Sequence, residues 1–253
     1  MIKKFLYNEF MSKFFFNNWK FSNKPINFFQ EKVEQNIKEE KTQEKIVVES
    51  SKNHHTIDEK ILIDLNDLEK DIQWISNLEQ FQQIVNKYNQ QIIKDGSNEN
   101  TIGSGPTDGI MVIGEAPDYQ NNQLESFVGD HKILLKKMLQ YIDIDMESVY
   151  ITTLSPWQPK NNRSFTAQEI KDLRPFILKL IEVVKPKKIL LLGSVAVQGV
   201  LDTNKPLNII RGQLYQVDHI PTVVSFNPGF LRRFPNFNTE AKKDMDLFKN
   251  IEV

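Results

Sequence analysis

The sequence predicts an α/β fold: three layers, α/β/α, around a central four-stranded parallel sheet. Three observations carry this. First, four short runs, 110–113, 149–152, 189–192 and 222–226, are dominated by apolar residues with little alternation. That pattern marks strands buried on both faces. Second, each run is followed by an amphipathic stretch or a loop that leads into one, and such alternation builds parallel sheets with helices on both sides. Third, breakers stand at the junctions: Gly114 and Gly193 end two of the strands, and Pro186 stops the helix before the second of these.

From the start of the chain, residues 1–25 are rich in Phe, Asn and Lys. The apolar residues are too interrupted for a signal-peptide core. The segment reads as a poorly ordered tail, or else as a short amphipathic helix that docks on a partner or a membrane surface. Residues 31–60 are charged, with few apolar side chains, and read as a solvated linker. Residues 1–62 are therefore expected to be a flexible extension and linker, and 63–253 the folded domain. Leu68, Ile72, Ile75, Leu78, Phe81, Val85 and Tyr88 recur at spacings of three and four, which predicts one helix over about 66–88 with Asn66 and Glu69 as a capping box. A loop follows at 96–106.

The domain then alternates. A strand at 110–113 leads to a helix at about 130–142, and a strand at 149–152 leads through a loop at 153–163 to a helix opening at Thr166. Thr166 and Glu169 form a capping box there, and Pro175 inside the helix predicts a kink. After the strand at 189–192 comes a short helix at 194–201. Residues 208–217 suggest a hairpin turning at Arg211 and Gly212, the strand at 222–226 opens into the loop FNPGFLRRFP, and a last helix covers 239–250.

Composition limits the chemistry. The chain has 253 residues and a net charge of −1, so bulk charge says nothing about nucleic acid. All five arginines lie at or after Arg163, and Arg is the side chain suited to phosphate. With no cysteine, disulfides, thiolate zinc sites and Cys-ligated iron–sulfur clusters are excluded. The four His show no metal-ligand spacing, and no metal is expected. No apolar run approaches the roughly 18 residues needed to cross a membrane, and the chain is expected to be a cytoplasmic monomer.

The chemistry-bearing residues gather in three loops at strand carboxyl ends, where open parallel sheets bind ligands. The first carries Gly114, Glu115, Ala116, Pro117 and Asp118, with Phe127 and Val128 nearby. The second runs from Thr153 to Arg163, and the third from Asn227 to Arg233. Glu115 reads either as the acid of a pocket floor or as a solvated loop residue.

In this set of loops the chain resembles the uracil-DNA glycosylases of family 4. The family's GEAPG and PFVG appear as GEAPD and SFVG, its YITN and following NR as YITTLSPWQPKNNR, and its HPAYLLR as NPGFLRR; KPKKILLLG matches its strand after the long helix. The resemblance implies a uracil-DNA glycosylase-like domain. Its activity would flip uracil out of single- or double-stranded DNA and hydrolyse the bond between base and sugar, the first step of base excision repair. Carried over by position, it implies that Glu115 and Ala116, with Gly114 and Pro117, contact the base or the attacking water, and that Phe127 stacks on the base. Asn227 would donate to the uracil oxygen and Thr153 would read the uracil edge. Leu231 would fill the vacated stack, and Asn162, Arg163, Arg232 and Arg233 would hold the DNA backbone.

Four departures from the family are visible. Its iron–sulfur cluster has no cysteines to hold it; Trp157 and Leu173 stand at two of those positions, where apolar packing is expected instead. Asn227 replaces a His and cannot become cationic. Thr153 replaces an Asn and offers a single rotatable hydroxyl. The acids after GEAP are reduced to Asp118 and Glu125 beside Glu115. Two expectations follow: a glycosylase of reduced rate or altered base choice, or a catalytically impaired member that binds DNA or a partner.

Overall fold

The structure, a computed structural model, describes residues 65–88, 92–93 and 95–252. The expectations for the tail, the linker and the domain boundary at 62 lie outside the described residues.

Four strands form the parallel core of the sheet: β1 (Ile110–Gly114), β4 (Val149–Thr153), β5 (Lys188–Leu192) and β7 (Ile220–Ser225). Their spatial order is β4-β1-β5-β7, and a fifth strand, β6 (Leu214–Val217), adds antiparallel to β7 at the edge. The expected four-stranded parallel sheet is thus present inside a mixed sheet of five.

Side chains along each strand alternate between two cores, as the period of two requires. Met111, Ile113, Tyr150, Ile189, Leu191 and Val224 face one core. Helices α1 (Leu65–Ile72), α2 (Leu78–Lys87), α4 (Ala167–Val184) and α5 (Ser194–Leu201) cover that face. Val112, Val149, Ile151, Leu190, Leu192 and Val223 face the other. It is covered by α3 (Gly129–Tyr141) and α8 (Asn238–Lys249), with Leu231 of the short α7 (Pro228–Arg233). Three layers result. The chain leaves β1 for one neighbour through α3 and returns to the other through α4, so the connections part company between β1 and β5. That is the topological switch point at which such sheets bind ligands.

Several elements differ from the sequence expectation, each for a local reason. The expected helix over 66–88 is two helices. Asn77 accepts from the Gln80 amide at 2.9 Å and starts α2 afresh. The periodicity ran through the break because Leu68, Ile75, Phe81, Val85 and Tyr88 all enter one core. Asn66 lies inside α1 rather than capping it.

Thr166 and Glu169 do form the expected capping box, and α4 continues through Pro175 as one helix of 18 residues. The hairpin turns at Asp218 and His219, both at positive φ, not at Arg211 and Gly212. A turn of helix, α6 (Leu207–Ile210), ends at Arg211 instead. The Arg211 guanidinium is drawn into the core by Asp244, which is fully buried and also accepts from Ser225 Oγ at 2.8 Å.

Three further elements went unforeseen. After Asp118 the chain makes a small hairpin, β2 (Asp118–Gln120) and β3 (Gln123–Glu125), turning at Asn121–Asn122 with φ of 52° and 63°. Paired positive φ is what a two-residue hairpin turn demands. The segment expected as a loop after Asn227 is α7, with Asn227 as its N-cap and Pro228 in its first turn. Among the described residues no helix is long and apolar enough to cross a membrane.

Candidate active site

A cavity of about 380 Å³ opens at the carboxyl ends of β1, β5 and β7, at the switch point. Its floor comes from the loop after β1. Glu115, Ala116 and Pro117 line it, and the β2–β3 hairpin returns the chain so that Phe127 does too. The tip of the Phe127 ring rests on Gly114: a Cβ built on that glycine would lie 2.6 Å from Cζ. Glycine is required there for close approach, and Gly114 is itself held in register opposite Thr153.

Glu115 is half-buried, with no hydrogen bond to the described side chains. Burial pushes its carboxyl above the ordinary value, against the pull of the Arg233 guanidinium across the cavity. A carboxylate so raised is a stronger base than a solvated one.

Asn227 forms the opposite wall. Its Oδ1 accepts from the Gly229 amide at 2.7 Å, as an N-cap should, so the Nδ2 group carries the two donor hydrogens that remain. Gly193, at φ 94°, lets the Asn227 side chain pack against the start of α5; its built Cβ would lie 3.1 Å from Asn227 Cβ. Only glycine suits both that backbone angle and that contact. Ser194 of α5 and Phe230 of α7 also line the cavity.

The remaining residues inferred from the sequence divide. Arg233 lines the cavity and donates from Nε to the Gly229 carbonyl at 3.3 Å. Asn162 lines it too and accepts from Gln158 Nε2 at 2.6 Å, a group shared with Asp118. Arg163 reaches the cavity, but its guanidinium is held by Asp95 at 2.6 Å and by Glu169 at 2.6 Å. It buttresses the capping box of α4 and is not free for phosphate.

Three residues assigned from the sequence are not among those that line the cavity. Thr153 is 2% exposed and donates its hydroxyl to the Ser155 carbonyl at 2.8 Å, so it is turned away from the cavity into the fold. Leu231 is 2% exposed and packed in the core beneath the sheet. The exposed apolar side chain nearest to it in sequence is Phe234, at 46%. Arg232 points outward and pairs with Asp130 on the surface.

Sequence reading missed His131, which lines the cavity from the first turn of α3. The sequence held one signal: His131 stands two residues after the glycine of SFVG, at the start of a helix that opens at a strand's rim. The donor set does not fit an iron–sulfur cluster. The chain has no cysteine, and Trp157 and Leu173, at 1% and 0% exposure, join the core around Phe176. Trp157 meets Phe176 edge to face at 5.9 Å between centroids. Among the described residues no group of three His, Asp or Glu could hold a metal ion.

Comparison with known proteins agrees with this geometry. Residues 102–247 match the family described as the uracil DNA glycosylase superfamily. The type-4 uracil-DNA glycosylase of Pyrobaculum aerophilum is 26% identical over 149 residues, which cover 55% of this chain and 76% of that protein. That of Archaeoglobus fulgidus is 28% identical over 151 residues, covering 56% and 74%. That of Thermotoga maritima is 30% identical over 137 residues, covering 52% and 71%. The fold, the cavity at its switch point and these matches together place the chain in the uracil-DNA glycosylase superfamily, as a type-4 member that lacks the cysteines of an iron–sulfur cluster.

Proposed function

We propose that the protein hydrolyses the N-glycosidic bond of uracil in DNA, starting base excision repair, at a rate or with a base choice altered by its polar substitutions. The observation that carries the reading is the meeting of Glu115, Phe127 and the Asn227 amide in one cavity large enough for a small ligand. A base enclosed there must first leave the DNA stack. Phe127 then offers its ring to the base, a contact worth about 1–3 kcal/mol in stacked complexes.

As the C–N bond lengthens, the sugar gains oxocarbenium character and the base gains negative charge. Asn227 Nδ2 donates toward that charge, and donors placed in advance are the largest catalytic contribution in such sites. Glu115 polarises the water that attacks the sugar. Arg233 at the rim holds a flanking phosphate, and Phe234, exposed just after α7, takes the stack-filling role in place of the buried Leu231.

One observation favours a second reading, that of an impaired member that binds DNA without cleaving it. The Thr153 hydroxyl is taken up by the Ser155 carbonyl, so it does not read the base edge. One assay separates the two. Purified protein is incubated with single-stranded oligonucleotides bearing one uracil, then treated with alkali. Strand scission at the uracil, lost in Glu115→Gln, is expected. Its absence at enzyme excess, with DNA still bound, would leave the binding reading alone.

A further inference from the structure

We infer that His131 is a catalytic hydrogen-bond donor to the departing base, acting from the same wall as Asn227. The inference rests on the glycosylase reading above and adds to it a residue and a role. His131 stands in the first turn of α3, exposed to the cavity. Its imidazole lies against the backbone of Gly229. A Cβ built on that glycine would come 3.1 Å from His131 Nε2, 3.2 Å from its Cε1 and 3.2 Å from Asn227 Oδ1. The ring and the amide therefore flank one Cα atom, and glycine is what lets them come so close.

Among the described residues no group hydrogen-bonds to the imidazole. Its charged neighbours are occupied elsewhere. Asp130 pairs with Arg232, and Lys132 pairs with Glu125 at 2.5 Å. Arg163 is held by two carboxylates, and Arg233 faces Glu115. Among the described residues His131 is the only imidazole lining the cavity.

The chemistry gives such a group a task. When the C1′–N1 bond breaks, its electron pair leaves on the base and spreads from N1 to O2. Water oxygen forms the new bond to C1′ and passes its proton to Glu115. The base anion needs donors at O2. Asn227 supplies only a neutral amide whose carbonyl is already bonded to Gly229. An imidazole N–H can donate in either charge state, and no proton has to be transferred for it to stabilise the anion.

The test compares two leaving groups. Fluorine stabilises the base anion, so 5-fluorouracil needs less help from a donor than uracil. Single-turnover release of each base from a single-stranded oligonucleotide is measured for the wild type, His131→Ala and His131→Gln. A lost oxyanion donor costs about 10²–10³ in rate at enclosed sites, so H131A is expected to slow uracil release about tenfold or more. It should slow 5-fluorouracil release markedly less, and H131Q, which keeps an N–H, should recover part of the loss. Unchanged uracil release in H131A, with an active wild type, overturns this inference alone. Equal slowing of both bases overturns it too, by assigning His131 a merely structural role. A wild type that releases neither base overturns the glycosylase reading, and this inference with it.

Discussion

Gly114→Ala tests whether the Phe127 ring is a platform or only a piece of core. The new methyl would sit 2.6 Å from Cζ, 3.0 Å from Cε2 and 3.4 Å from Cε1 of that ring. Carbon atoms in good contact stand about 3.5–4.0 Å apart, so the ring tip must move by about 1 Å. β1 blocks one direction and the cavity opens in the other. Backbone strain is not involved, because Gly114 is not among the glycines at positive φ. Overpacking of a core costs about 1–3 kcal/mol. A ring that can swing into open space should fall at the low end, about 1 kcal/mol, or about 2–4 °C in Tm for a domain this size. Catalysis should suffer far more, because a displacement of about 1 Å at a reacting site costs on the order of a hundredfold in rate. The assay pairs thermal melting with single-turnover uracil release. A lowered Tm with an unchanged rate would show that Phe127 only fills space. An unchanged Tm and rate would refute the close approach itself. In Gly114→Ala/Phe127→Leu, stability is expected to return and activity is not.

Other outcomes follow from the same geometry. Burial raises the Glu115 carboxyl, so its ionised form is the one the fold disfavours. The stability tied to this group is fully present below its unfolded pKa and is lost as pH rises through its folded pKa. Glu115→Gln should therefore melt higher than the wild type at neutral pH, with the gap closing in acid, while cleavage is lost; a lower neutral Tm would contradict the burial argument. Asp244→Ala leaves Arg211 and Ser225 without their buried partner, and breaking such a pair costs about 3–5 kcal/mol. Urea denaturation showing a loss below about 1 kcal/mol would mean that water replaces the carboxylate. Arg163→Met should lower Tm but leave the salt dependence of DNA binding unchanged, because Asp95 and Glu169 hold the guanidinium. Arg233→Met should flatten that slope by about one released ion. The reverse pattern in filter binding would return Arg163 to the DNA.

Much of the scaffold was legible in the chain because its signals are local. The run at 110–113 is apolar throughout since β1 is buried on both faces, and Thr166 with Glu169 announced α4 because a capping box is closed within four residues. Where a signal was local but ambiguous, the reading slipped. The stripe from Leu68 to Tyr88 continued across a break at Asn77, since two helices packing on one core keep the same period. Asn121–Asn122 offered a hairpin turn that the apolar pattern around it, in a surface ribbon, did not support.

By itself the sequence determined the layered fold, the loops that line the cavity and the absence of any thiolate ligand. Strand burial, capping and composition are properties of short stretches or of the whole count. Only the tertiary structure decided which side chain of each loop faces the cavity. Position in a motif put Thr153, Leu231 and Arg163 in the site. Register turned Thr153 inward, core packing took Leu231, and two carboxylates from 68 and 6 residues away captured Arg163. The same long-range packing brought in His131, which the SFVG motif set at a helix start but not in the cavity, because α3 and α7 meet at Gly229. Side-chain direction in a loop depends on partners distant in the chain, and no local pattern encodes them.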